Sequence, residues 1–165
     1  MKKILLLSLF ILGFTCVKAQ DFELKKEYRF KTKADYKKYE PDIKQAIEWL
    51  EQTPPNEQVN KRDLVKALLL KWLTGSPSVS ITISEDVVTF MKCAECLIVF
   101  MGGWTKHALA NNSKNQLQGN LAGIEAVIKF YQKNKPILGK NRAIEKYMRL
   151  KKKNKLEKRV RSKLK

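Results

Sequence analysis

Residues 87–101 are almost continuously apolar, and this run constrains the fold more than any other feature of the sequence. Lys92 and Glu95 are its only charged members. A run of this length is shorter than the roughly 20 residues that cross a bilayer, whereas a helix that is apolar all round must be buried inside a protein. We therefore predict a helix over residues 84–101, N-capped by Ser84, at the centre of a soluble helical bundle.

Three further segments show the spacing of amphipathic helices. Their apolar residues recur at intervals of three and four, with charged residues between them. The predicted helices span residues 41–52, 60–74 and 114–134. Pro41 falls in the first turn of the first of these, where a missing N–H costs little.

The last of these helices has clear end signals and two glycines on its length. Ser113 and Gln116 have the spacing of a capping box, and Pro136 is predicted to end the helix. Gly119 and Gly123 lie four residues apart. They either let a second helix approach closely or are simply tolerated, and the sequence leaves both alternatives open.

Two short segments have a different pattern. Residues 76–83 alternate apolar and hydroxyl side chains, and residues 20–32 carry apolar residues spaced by twos, as half-buried extended chain does. We expect extended connections, with a small two-stranded ribbon as the alternative. The predicted fold class is all-α: a compact bundle of about four main helices plus a basic C-terminal helix and one short extended segment.

The first nineteen residues are typical of a cleavable signal peptide. Lys2 and Lys3 precede an apolar stretch of about eleven residues, and small residues occupy the positions that signal peptidase requires before Gln20. Cys16 offers a lipoprotein alternative, but the preceding Phe14 and Thr15 disfavour it. We expect the mature chain in the periplasm or outside the cell, without a transmembrane segment.

Positive charge is concentrated at the C-terminus. The full chain has a net charge of +18, and the predicted leader removes three lysines and no acid, which leaves +15. Residues 139–165 contain thirteen Lys or Arg and two Glu, so they carry +11 of that total. The chain accordingly divides into a helical domain, residues 20–138, and a basic helical C-terminal extension, residues 139–165.

Such a segment attracts anionic surfaces. The candidate contact residues are its clustered cations: Lys151, Lys152, Lys153, Lys155, Lys158, Arg159 and Arg161. Because the chain is predicted to be exported, the expected partners are anionic envelope lipid, polysaccharide or an acidic protein, and intracellular nucleic acid is not expected. A solubilising, partly disordered end is the alternative interpretation.

Cys93 and Cys96 form the single CxxC motif of the sequence. A thioredoxin-like site needs the first cysteine at a helix N-terminus, whereas this pair is predicted to lie about nine residues inside a helix. Haem attachment needs a histidine directly after the motif, and Leu97 stands there. Buried thiols or a local disulfide are therefore favoured, and a redox-active pair is the alternative.

Other catalytic signals are sparse. His107 is the only histidine, and no nucleophile elbow, P-loop, dinucleotide fingerprint or zinc motif is present. Glu125 is expected to be exposed or paired with Lys129. No cofactor or metal is predicted. The sequence favours an exported, non-catalytic interaction protein; the alternatives are a thiol-active envelope protein using Cys93 and Cys96, and a structural subunit of a larger envelope assembly.

Overall fold

A computed structural model describes residues 22–164, so the predicted leader, including Cys16, lies outside the described residues. The described chain contains seven helices: α1 (Lys33–Lys38), α2 (Glu40–Gln52), α3 (Val59–Gly75), α4 (Ala94–Asn111), α5 (Gln116–Leu138), α6 (Arg142–Lys152) and α7 (Leu156–Arg161). The predicted all-α bundle is confirmed. Within residues 22–164, no helix has both the length and the apolar character needed to cross a membrane.

The antiparallel neighbours α4 and α5 form the centre of the bundle. Helix α2 packs on α4 and on α3, and α6 and α7 pack on α5. Small residues bring the central pair together: a Cβ at Gly103 would lie 2.6 Å from Ala126 Cβ, and one at Gly123 would lie 2.6 Å from Phe100 Cδ2. Gly119 meets Trp104 in the same way. The close-approach explanation of the α5 glycines is therefore correct.

The bounds predicted for the central helix, residues 84–101, are wrong at both ends. Residues 84–93 form turns, and α4 begins at Ala94 and continues through Gly102 and Gly103 to Asn111. Val87, Val88 and Phe90 are nevertheless fully buried. The carbonyl of Val87 accepts a hydrogen bond from the Tyr147 hydroxyl of α6 instead of serving a helix. A buried loop and a buried helix have the same apolar composition, so hydrophobicity alone does not separate them.

The other helices agree more closely with prediction. Helix α2 starts one residue before Pro41, as expected. Helix α5 is capped by Asn115, whose Oδ1 accepts from Gln118 N at 3.0 Å, not by the predicted Ser113 box. It also runs through Pro136 to Leu138. The predicted stop at this proline is therefore wrong.

The segments outside the helices still contribute to the core. Phe22 and Val79 are buried, and Tyr28, Phe30 and Tyr39 form an aromatic cluster with ring centroids 5.1 to 6.1 Å apart. No strand occurs among residues 22–164, so this part of the chain does not form the two-stranded ribbon.

Candidate functional site

The basic C-terminal segment folds onto the bundle as two helices. Asn141 begins α6 by accepting hydrogen bonds from the backbone N–H groups of Ala143 and Ile144 at 3.1 and 3.2 Å. Ile144 and Tyr147 then bury one face of the helix. The remaining face carries lysines and arginines, so docking orders the charged side chains instead of leaving them on a free tail.

A left-handed residue allows the second helix to turn back. Asn154 has φ of +53°, a conformation that asparagine tolerates well, and the following Lys155 N donates to Leu150 O at 2.8 Å. Leu156 and Val160 of α7 are then only 6 % and 1 % exposed. These two buried side chains dock the end of the basic segment onto the bundle.

The predicted contact residues differ in how much of their charge is available. Lys151 pairs with Glu125 at 3.0 Å, and Arg161 pairs with Glu157 at 2.6 Å. Glu125 was expected to be exposed or paired with Lys129; its side chain is 45 % exposed, and its partner is Lys151 instead of Lys129. The other five candidates make no ion pair with residues 22–164: Lys152, Lys153, Lys155, Lys158 and Arg159.

Helices α5 and α6 enclose a cleft of about 660 Å³ with a cationic rim. We call it the α5–α6 cleft. Ile128 and Met148 supply apolar side chains to its lining, and Lys129, Arg149 and Lys152 supply cations that have no acidic partner among the described residues. Lys129 and Arg149 were missed by sequence analysis. The sequence gives little indication of Lys129, because it occupies an ordinary solvent-facing position of α5.

One acid interrupts this positive rim. Glu145 accepts a hydrogen bond from Lys135 Nζ at 2.8 Å and from the Tyr131 hydroxyl at 3.2 Å. The Lys135 hydrogen bond is the main cause that holds the pKa of the Glu145 carboxyl below its ordinary value, and the same bond raises the pKa of Lys135. Both groups are therefore charged at neutral pH, and they offset one another within the cleft.

The cysteine pair lies elsewhere, and its position corrects the sequence prediction. Cys93 is the N-cap of α4 and forms a disulfide with Cys96 in the first turn. The pair is therefore at a helix N-terminus, not nine residues inside a helix. Cys96 is fully buried, whereas Cys93 is partly exposed. The disulfide, one of the bonding states that the sequence left open, is the one present.

The acid between the cysteines is neutralised by the bundle. Glu95 accepts from Arg62 Nε at 2.7 Å and pairs with Lys66 Nζ at 2.8 Å. Arg62 is 1 % exposed and also donates to the carbonyls of Thr53 and Leu50 at 2.9 and 3.1 Å. Each of its three guanidinium nitrogens donates to one of these oxygens, which ties α3 to α2 and α4, so these charges stabilise the fold.

His107 lies on α4 beside a separate cleft of about 450 Å³ that Glu125 and Glu157 also line. Its Nδ1 is 3.3 Å from Asn111 Nδ2, and Glu125 is committed to Lys151. A general base needs a nucleophile and an orienting acid within hydrogen-bond reach, and the contacts of His107 include neither. Among the described residues, no group of three or more His, Cys, Asp or Glu is arranged to hold a metal ion.

Comparison of the chain with protein-family models, with curated proteins and with solved structures finds no match. The two local arrangements described above, the α5–α6 cleft and the disulfide at the start of α4, therefore carry the functional argument.

Proposed function

We propose that this protein is exported through a signal peptide, residues 1–19, which is then removed. We further propose that the mature protein binds anionic envelope lipid through the α5–α6 cleft. The observation that carries this proposal is the association of three unpaired cations, Lys129, Arg149 and Lys152, with an apolar lining. The protein acts as a non-catalytic interaction module at the cell envelope.

Charge identifies the ligand as an anion. A cation without an acidic partner keeps its full attraction for phosphate or carboxylate, and each Lys or Arg near an anionic leaflet contributes about 1 kcal/mol. Lys153, Lys155 and Lys158 extend the positive surface beyond the cleft into the turn and α7. A planar anionic surface can engage the rim and this extension together.

The apolar lining favours lipid over the other expected partners. Ile128 and Met148 gain nothing from a polysaccharide, whose surface is covered with hydroxyl and charged groups. A lipid brings an acyl chain next to its phosphate, so one molecule satisfies both parts of the cleft. An acidic protein would match the rim and leave the lining without a defined occupant.

Vesicle sedimentation tests this proposal. The mature chain is mixed with equimolar phosphatidylglycerol and phosphatidylcholine, or with phosphatidylcholine alone, at about 0.01 M salt, where the Debye length is about 30 Å. We expect sedimentation with the anionic vesicles alone. The double variant Lys129→Glu/Lys152→Glu should bind at least about 30-fold more weakly, since two contacts of about 1 kcal/mol each are lost.

A matched variant controls for net charge. Lys33→Glu/Lys114→Glu makes the same change at two exposed lysines on α1 and before α5, and it should bind nearly as well as the wild type. Equal losses of vesicle affinity in both variants would show that binding depends on net charge alone, and would contradict a role for the cleft. Binding to an acidic polysaccharide without binding to vesicles would reject lipid as the ligand.

Export is tested separately. Mass spectrometry of the protein from its native cells should give an N-terminus at Gln20. An intact chain that begins at Met1 and is recovered from the cytosol would reject export, whatever the vesicle experiment shows.

A further inference from the structure

The disulfide at the start of α4 lies in a cleft of its own. About 360 Å³ of space is enclosed between residues 92–96 and the segment that ends α5, and Ile137, Lys140 and Asn141 line its far side. Ile137 is 46 % exposed, so an apolar side chain is available beside the sulfur atoms. This cleft is distinct from the α5–α6 cleft, since its lining includes none of the unpaired cations named there.

The two sulfurs are not equivalent. Both cysteines line the cleft, but Cys93 is partly exposed, whereas Cys96 has no surface exposed to solvent. A thiolate arriving from solvent can therefore reach Cys93 Sγ, and Cys96 is placed as the leaving sulfur. Because the rate of thiol–disulfide exchange depends on access to the sulfur that is attacked, this asymmetry directs the incoming thiolate to Cys93.

The helix N-terminus favours negative charge on Cys93. The backbone N–H of Cys96 points at Cys93 Sγ, with a distance of 3.2 Å between N and S. First-turn N–H groups and the helix dipole stabilise a thiolate at this position once the disulfide opens. A stabilised thiolate makes the reduced pair more favourable, so the disulfide is a better oxidant.

Neighbouring charges act in the same direction. Glu95 would oppose a thiolate, but Arg62 and Lys66 hold and neutralise its carboxylate at 2.7 and 2.8 Å. Lys92 and Lys140 line the cleft and are exposed. The field around Cys93 is therefore positive, which suits an incoming thiolate and a peptide with acidic residues near its cysteine.

We propose that Cys93 and Cys96 form a thiol–disulfide exchange site that oxidises cysteine pairs in extended, acidic peptides. A peptide thiolate attacks Cys93 Sγ, the Cys93–Cys96 bond breaks, and Cys96 leaves as a thiolate that takes a proton from water. The second peptide thiolate then attacks the peptide sulfur of the mixed disulfide and releases Cys93. The peptide loses two electrons and two protons, and the protein disulfide gains both. A small-molecule disulfide regenerates the oxidised protein.

A single-turnover experiment on the wild-type protein tests this exchange without any substitution. The oxidised protein is mixed with an equimolar reduced peptide that contains two cysteines and flanking aspartates, and free thiols are alkylated at intervals and weighed by mass spectrometry. We expect one protein disulfide to be lost for each peptide disulfide formed. The protein should oxidise the peptide at least ~10-fold faster than oxidised glutathione does at the same concentration. A protein disulfide that stays intact while circular dichroism shows a folded protein overturns the proposal.

Single-cysteine variants test the assigned roles. Mixed with the oxidised form of the peptide, Cys96→Ser should trap a mixed disulfide, because the Cys93 thiolate attacks the peptide disulfide and one peptide sulfur leaves as a thiolate. Cys93→Ser should trap none, because Cys96 is buried. Trapping at both cysteines or at neither would overturn the assignment. If a variant fails to fold, the wild-type experiment still decides the matter. Lys140→Gln, which keeps both sulfurs, should slow exchange with the acidic peptide but not with a peptide that has lysines in place of the aspartates.

Discussion

Arg62 Nε lies 2.7 Å from Glu95 Oε2 and joins the interior of α3 to the first turn of α4. The same guanidinium reaches the carbonyls that end α2. One buried cation therefore fixes the positions of three helices, and it holds the acid that lies between the two cysteines.

Replacing this arginine should destabilise the protein strongly. Arg62→Met leaves the carbonyls of Leu50 and Thr53 without their donors and removes one of the two partners of Glu95. We expect a loss of about 3 kcal/mol in the free energy of unfolding, measured by urea denaturation. Lys66→Met removes the more exposed partner and should cost about 1 kcal/mol or less. Equal losses in the two variants would contradict the central role of Arg62.

The contact between α4 and α5 should not tolerate an added methyl group. Gly123→Ala places a Cβ 2.6 Å from the Phe100 ring and 2.7 Å from the Phe100 carbonyl oxygen. Because a backbone oxygen cannot move aside as a flexible side chain can, we expect a loss of about 1 to 3 kcal/mol in thermal or urea unfolding. Lys133→Ala, at an exposed position of the same helix, should change stability by less than about 0.5 kcal/mol. A Gly123→Ala protein as stable as the wild type would disprove the close crossing.

Tyr147 should make the protein sensitive to alkaline pH. Burial raises the pKa of its phenol above the ordinary value of 10.0, so the folded state holds the phenol proton more tightly than the unfolded state does. The corresponding stability is complete below pH 10.0 and is lost as pH rises through the folded-state pKa. Urea denaturation between about pH 8 and pH 11 should show this decline, in the range where the phenol titrates.

The variant Tyr147→Phe isolates this contribution. It should be about 1 kcal/mol less stable than the wild type at neutral pH, because the Val87 carbonyl loses one of its two donors and keeps only Thr89 N. Its stability should fall less steeply above pH 10.0. Parallel profiles for the two proteins would assign the alkaline decline to other groups, such as the lysines.

Neutralising Glu145 should strengthen anion binding by the α5–α6 cleft. Glu145→Gln removes the acid from the cleft lining and keeps an oxygen that can accept from Tyr131 and Lys135. We expect tighter binding to phosphatidylglycerol vesicles at neutral pH, because the positive charge of Lys135 is then no longer offset by an acid. The difference between variant and wild type should vanish in acid, once pH falls below the lowered pKa of Glu145. Weaker binding by the variant would place the anion away from this cleft.

Sequence analysis identified the elements that depend on local pattern. The repeating apolar residues of α2, α3 and α5 predicted their positions within a few residues, because helical periodicity is a property of the segment itself. The alternation of helix, basic break and second helix after residue 139 was also apparent from the sequence. The clustered cations of this segment were recognised from composition alone, but not their separation into paired and unpaired groups.

The two clefts depend on contacts between distant segments. Lys129 joins Arg149 and Lys152 because α6 turns back along α5, and no feature within either helix predicts that placement. The cysteines were likewise predicted to lie inside a helix because residues 87–101 are almost continuously apolar.

The sequence by itself determined that this chain forms amphipathic helices around an apolar centre and carries its positive charge at one end. The tertiary structure alone decided where the central apolar run stops being a loop and becomes α4, and therefore that Cys93 caps a helix. The physical reason is that burial of apolar surface is favourable whatever the backbone conformation. The backbone N–H and C=O groups of a buried loop, however, need hydrogen-bond partners outside a regular helix. The Val87 carbonyl accepts from Thr89 N within the loop and from the hydroxyl of Tyr147, which lies sixty residues further along the chain.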